Sequence, residues 1–228
     1  MQTIAIAIDG PAGAGKSTIA RILARELQFV YVDTGALYRA VGYYTLQKGQ
    51  DPQDARQVVP LLEGLEVSLR FVDGEQHVFV AGEDVTGSIR TPAVSMAASA
   101  VSAIPAVRQF LFDLQQNIAK TNSVIMDGRD IGTVVLPWAQ VKIFLSASAE
   151  ARAERRYREL LEKGETVSFD EVLADMQKRD YDDSHRAVAP LKPAKDAVLV
   201  DTSSLTLEES VAHMKSVVKE RLSCLKAH

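Results

Sequence analysis

Cysteine, histidine and tryptophan are scarce in this chain: its 228 residues include one cysteine, four histidines and one tryptophan. A lone thiol, Cys224, cannot close an internal disulfide, so a reducing compartment, the cytoplasm, is expected. His77, His185, His213 and His228 fall at no metal-ligand spacing, so no zinc or redox-metal site is expected from them. Long apolar runs are missing as well. The opening run, TIAIAI from Thr3, is too short for a membrane span or a secretory signal and has no basic segment before it, so no membrane partner is expected. An excess of positive charge is also lacking. With 26 Lys+Arg against 30 Asp+Glu the formal net charge is −4, which argues against a nucleic-acid-binding face. No exposed apolar pattern stands out, so a monomer is expected.

What is present suits a globular protein: 46% apolar and 25% charged residues, in a length that fits one domain with an insertion or two small domains. Thr3 to Ile8 is a β-branched run ending at a glycine-rich loop, and KSTIARILARELQF has helical spacing, with Ile19, Ile22, Leu23 and Leu27 on one side. FVYVD predicts a second strand ending at Asp33, and TGALYRAVGYYTLQ a second helix starting at Thr34. Strand, loop, helix, strand and helix in this order predict an α/β fold with a parallel sheet. Leu65 to Val85 alternates instead, with Asp73-Gly74 as a hairpin signal, and is expected to be a small antiparallel insertion over 63–90. Helix resumes from Pro92 to Lys120 with a break at Pro105. Val124 to Asp127, Val141 to Leu145 and Ala197 to Asp201 are further strands. Ala149 to Lys163, Phe169 to about His185 and Leu207 to Leu222 are further helices. The core would then be 1–62 and 91–228.

The glycine-rich loop is GPAGAGKS, which fits G-x-x-x-x-G-K-[ST] between a strand and a helix. Gly10, Pro11, Ala12, Gly13, Ala14 and Gly15 would converge backbone N–H groups on phosphate oxygens at a helix start, with Thr18 just inside the helix. Lys16 would reach the β- and γ-phosphates, and the Ser17 hydroxyl could ligate Mg²⁺. ATP with Mg²⁺ is therefore the expected donor, but the loop does not say what the nucleotide is for.

Three classes share such a loop: guanine-nucleotide switches, ATP-driven machines and small-molecule kinases. No N-K-x-D guanine reader follows, and the acidic candidate VIMDG carries Gly128 after Asp127 in place of the glutamate of a water-activating pair. A kinase is favoured, and a kinase needs a second anion site to neutralise the acceptor. Arg39, Arg108, Arg129, Arg179 and Arg186, with Arg152, Arg155, Arg156 and Arg158, are the candidates. Arg152, Arg155 and Arg156 share a helix face, as do Arg179, Asp183 and Arg186, and like charges on one face are easiest to explain where they meet phosphates. The acceptor stays open at this point.

The stretches IDGPAGAGKST, DTGALYRA, GEDVTGSIRTP, DGRDIGTVV, VKIFLSASAEARAERRYREL and RDYDDSHRAVAPL occur in this order along nearly the whole chain. Together they resemble the bacterial cytidylate kinase family. The resemblance implies transfer of the γ-phosphoryl group of ATP to CMP or dCMP with Mg²⁺. It also implies a P-loop core with a five-stranded parallel sheet, a monophosphate-binding insertion matching the alternating segment, and a lid over about 152–166. By similarity, Thr34, Arg39 and Arg129 would hold the acceptor phosphate, with Arg186 between the two nucleotides. Ser99, Arg108 and Asp130 would read the base, and Arg179 and Asp183 the sugar. Lys16, Arg129, Arg186 and the lid residue Arg155 would stabilise the transferring group, and Asp127 would join Ser17 at the metal. The chemistry is coherent: cytosine offers an N4 amino donor where uracil has an O4 acceptor, and a carboxylate at Asp130 accepts only from the former.

Overall fold

The computed structural model describes residues 3–72 and 75–226. The central sheet is built from β1 (Ala5–Asp9), β2 (Val30–Asp33), β6 (Val124–Gly128), β7 (Val141–Ser146) and β8 (Val198–Asp201). They pair in the order β2-β6-β1-β7-β8, every pair parallel. The short β-branched runs predict this. Ala5, Ile6, Ala7 and Ile8 are all buried, with no polar alternation, as a strand covered on both faces requires. One face packs against α1 (Lys16–Leu27) and α8 (Leu207–Lys226) through Ile6, Ile8, Ile19, Leu23 and Met214.

A second apolar cluster unites the elements between β2 and β6. It joins α2 (Thr34–Gln47), α3 (Ala55–Leu62), β3 (Val67–Val72), β4 (Glu75–Val80), Val85 just after the exposed β5 (Glu83–Asp84), α4 (Pro92–Ser102) and α5 (Pro105–Thr121). Strands β3, β4 and β5 form a separate antiparallel sheet, as the alternation predicts; the expected turn at Asp73-Gly74 lies outside the described residues. Val78, Val80 and Val85 of this insertion pack with Val58, Val94 and Leu111, so the small sheet shares its core with four helices. α3 has no counterpart in the sequence-based expectation; it holds Pro60 and is started by Asp54, whose side chain accepts from Arg56 N. The break expected at Pro105 is real: α4 and α5 meet at 99°. No single helix among the described residues is long and apolar enough to cross a membrane.

α6 (Ala149–Glu162) and α7 (Phe169–His185) form an antechamber beside the phosphate loop with a small core of Ala153, Leu160, Val172 and Met176. α7 starts with a capping box at Ser168 and Glu171. Parallel pairing puts the ends of β1, β2 and β6 on one edge, where ligands bind in such sheets.

Candidate active site

The phosphate loop leaves β1 at Gly10 and closes on α1. A Cβ at Gly10 would lie 1.9 Å from Leu145 O, so only glycine lets the loop lie this close to β7. Gly15 takes the left-handed conformation at φ 87° and no side chain caps α1, leaving its first N–H groups free for a phosphate. Lys16 is buried and donates to Pro11 O at 2.7 Å. Burial, and then neighbouring Arg129, bring its ammonium down to about 7. Both effects favour an anion beside it, which would restore the charged form.

Asp127 stands where β6 ends, paired in register with Asp33 of β2. One of its oxygens accepts from Ser17 Oγ at 2.9 Å and the other from Tyr31 Oη at 2.9 Å. Burial, and then Asp33, push its carboxyl up to about 6. Ser17 and Asp127 thus meet across two elements and offer oxygen donors only, which fits Mg²⁺. Among the described residues no group of three or more His, Cys, Asp or Glu side chains could hold a metal.

Beside the loop lies a bank of guanidinium–carboxylate pairs. Thr34 Oγ1 donates to Asp127 O at 2.7 Å. Arg39 Nη2 pairs with Asp33 at 2.7 Å, while its Nε is buried without a partner. Arg129 Nε pairs with Asp183 at 2.7 Å, and Asp183 holds the guanidinium charged against the cost of burial. Arg108 and Arg186 converge on opposite oxygens of Asp130, the latter at 3.4 Å. Arg108 also donates to Ser102 O at 3.3 Å and lies 5.6 Å over the Tyr38 ring. Ser99 is half-buried nearby, its carbonyl accepting from Ser102 Oγ at 2.8 Å. Arg179 is half-buried; burial, and then Arg129, pull its pKa down. Thr34, Arg39, Arg108, Arg129, Asp130, Asp183 and Arg186 are therefore gathered around the ends of β2 and β6.

The arginines of α6 have other partners. Arg152 is buried, donating to Ala147 O at 2.8 Å and to Ala12 O of the phosphate loop at 3.0 Å, and pairing with Asp180. Arg155 donates to Thr202 O at 2.5 Å and Leu205 O at 3.4 Å, on the loop after β8. Arg156 and Arg158 pair with Glu159 and Glu154 on their own helix. Arg152 is thus the α6 arginine bound to the phosphate loop. Asp9, Tyr31 and Gln76 also belong to the site without having been singled out from sequence. The Gln76 amide accepts from Asp33 N at 2.9 Å and donates to Asp33 O at 3.2 Å, docking the small sheet on the free edge of β2. A glutamine inside an alternating strand carries no local signal of such a role.

A phosphate loop beside a bank of partly buried guanidiniums defines a P-loop phosphotransferase acting on small anionic acceptors. The cytidylate kinase family profile matches residues 6–220. The cytidylate kinase of Caldicellulosiruptor bescii is 52% identical over 209 residues, 92% of each chain. That of Enterococcus faecalis is 50% identical over 221 residues, 97% of this chain and 98% of its own. An uncharacterized protein from Eubacterium ventriosum shares the fold, with a TM-score of 0.52 at 14% identity, covering 97% of this chain and 99% of that one. This chain belongs to the cytidylate kinase family.

Proposed function

We propose that this chain transfers the γ-phosphoryl group of ATP to CMP or dCMP, giving ADP and CDP or dCDP. The observation that carries this reading is the place of Arg129. It directly follows β6, two residues after the Asp127 that accepts from Ser17 of the phosphate loop, and it pairs with Asp183 of α7, so its guanidinium stands between the loop and the other arginine–carboxylate pairs. Gly10 to Thr18 cradle the donor phosphates, and Lys16 follows the transferring group. Thr34, Arg39 and Arg129 hold the acceptor phosphate, each guanidinium giving only one nitrogen to its carboxylate partner. Asp130 accepts from the cytosine amino group, Arg108 and Ser99 donate to the ring, and Asp183 and Arg179 bind the sugar. Arg186 lies between the nucleotides and Arg155 joins the lid. When bound through Ser17 and Asp127, Mg²⁺ supplies neutralisation of charge on the donor phosphates.

Alignment and charge stabilisation suffice for the chemistry, so neither a covalent intermediate nor a dedicated general base is needed. Closure of α6 and α7 over the loop would keep water from accepting the phosphoryl group. The chain works as a cytoplasmic monomer on nucleotides alone, a reading supported by its single cysteine and its net charge of −4. A coupled ADP-release assay with CMP, dCMP, UMP and AMP tests the assignment. CMP and dCMP are expected to be used and UMP poorly; equal rates for CMP and UMP would overturn the base-reading roles. No ADP release with any acceptor would point to a nucleotide-binding protein instead.

A further inference from the structure

Asp9 is the last residue of β1, immediately before the glycine that opens the phosphate loop. Its side chain serves the other half of the site. One oxygen accepts from Ile131 N at 2.7 Å and the other from Gly132 N at 2.7 Å. These residues begin a wide π-type turn, Ile131–Val135, directly after Asp130. The turn's own backbone bonds start later, with Val134 N and Val135 N reaching Asp130 O at 2.8 and 3.2 Å. The two N–H groups that Asp9 binds are thus orphans of a helical start, satisfied from another strand. The contact is enclosed: Asp9 is 3% exposed, and a Cβ on Gly132 would lie 3.3 Å from its Oδ2. Burial pushes the carboxyl up to about 6 against the pull of its two backbone hydrogen bonds, so it remains ionised at neutral pH.

We infer that Asp9 is a positioning residue that ties the phosphate loop to the acceptor-reading turn, setting where Arg129 and Asp130 stand relative to Lys16. Pairing of Asp9 with Gly128 already aligns the strands β1 and β6. The carboxylate adds the direction the chain takes once β6 has ended, on which the aim of Asp130 depends. Asp9 touches neither nucleotide in this scheme; it acts through the turn. The inference rests on Asp130 being the base reader, as proposed above.

The test is steady-state kinetics of Asp9→Asn with CMP, UMP and ATP, beside Gly132→Ala and Asp130→Asn. Asparagine keeps the shape but turns an amide N–H₂ against one of the two backbone donors. The KM for CMP is expected to rise about tenfold, as for one lost charged hydrogen bond, and the CMP-over-UMP preference in kcat/KM to narrow by a similar factor. The KM for ATP should stay within about threefold of the parent. Gly132→Ala crowds the same oxygen while keeping the charge and should shift both readouts the same way, less far. If Asp130→Asn narrows the preference while Asp9→Asn and Gly132→Ala leave it unchanged, the coupling is overturned and the base-reading role stands. If Asp130→Asn leaves the preference unchanged, the base-reading role fails and the coupling with it. An ATP KM raised as far as that for CMP, with preference intact, would also overturn it by assigning Asp9 to the phosphate loop alone. Should Asp9→Asn not fold, Gly132→Ala decides by the same readouts.

Discussion

Replacing Asp130 by asparagine removes one negative charge from between two guanidiniums and leaves the shape in place. Asp130 is 4% exposed and meets Arg108 through one oxygen and Arg186 through the other. Removing one partner of a buried charge pair costs about 3 kcal/mol or more. At about 2–4 °C per kcal/mol for a domain of this size, the melting temperature should fall by roughly 6–12 °C. The effect on selectivity is separate. A carboxylate can only accept, so uracil O4 would face it with two lone-pair-bearing atoms and no proton between them. An unsatisfied buried polar group costs about 1–3 kcal/mol, a preference of roughly 5- to 150-fold. An asparagine amide rotates to donate to O4 or to accept from N4, and that penalty disappears. Coupled ADP release under kcat/KM conditions, run well below the lowered melting temperature, should show the CMP:UMP ratio collapsing by about tenfold or more while the KM for ATP changes by less than about threefold. An unchanged ratio, or a loss of ATP affinity that parallels the loss for CMP, would refute the reasoning and leave Asp130 a structural anchor for its arginines.

Gln76→Leu removes both hydrogen bonds to Asp33 at constant size. It should raise the KM for CMP several-fold, by the roughly 1–2 kcal/mol of two neutral hydrogen bonds, with ATP binding unchanged in a titration. Arg152→Ala strips Ala12 O of its partner and Asp180 of its countercharge, so it should raise the KM for ATP and lower the melting temperature more than Arg155→Ala, which frees only carbonyls after β8. Asp127 must be ionised and Lys16 charged, and they titrate at about 6 and about 7, so kcat/KM should fall below the first and above the second. In the kcat profile the alkaline limb should move up, because bound phosphates favour the ammonium; a limb that stays put would remove Lys16 from the phosphate contact.

The parts of the site legible in the sequence are those whose chemistry and spacing are local. Gly10 to Ser17 declare a phosphate loop because the loop is one continuous turn, and Asp127, Arg129 and Asp130 share another. The fold class was legible for the same reason: unbroken apolar runs mark buried parallel strands, and alternation marks the small sheet. Asp9, Tyr31 and Gln76 were not legible, because each acts across strand register. Tyr31 reaches Asp127 only because β2 and β6 pair side by side, with Asp33 opposite Asp127. The arginines of α6 show the opposite limit. Spacing placed Arg152, Arg155 and Arg156 on one face but could not say that Arg152 meets Ala12, Arg155 the loop after β8 and Arg156 its neighbour Glu159.

Pairing of the site's arginines with carboxylates does not exhaust their capacity for phosphate. A guanidinium has five N–H donors in a fixed fork, and a carboxylate occupies one or two of them. Arg129 gives Nε to Asp183 and Arg39 gives one terminal nitrogen to Asp33, so each keeps donors for an acceptor phosphate. The carboxylates orient the forks before a nucleotide arrives and soften the repulsion that would otherwise splay Lys16, Arg129 and Arg179 apart. Lysines here would be weaker for a physical reason: an ammonium committed to a carboxylate has no rigid second edge to present. Under the proposed roles, Asp127, Arg129 and Asp130 follow one another so closely because an ion site, a phosphate and a base edge would have to be addressed from one turn. A single turn, clamped from the neighbouring strand by Asp9, can set all three at once.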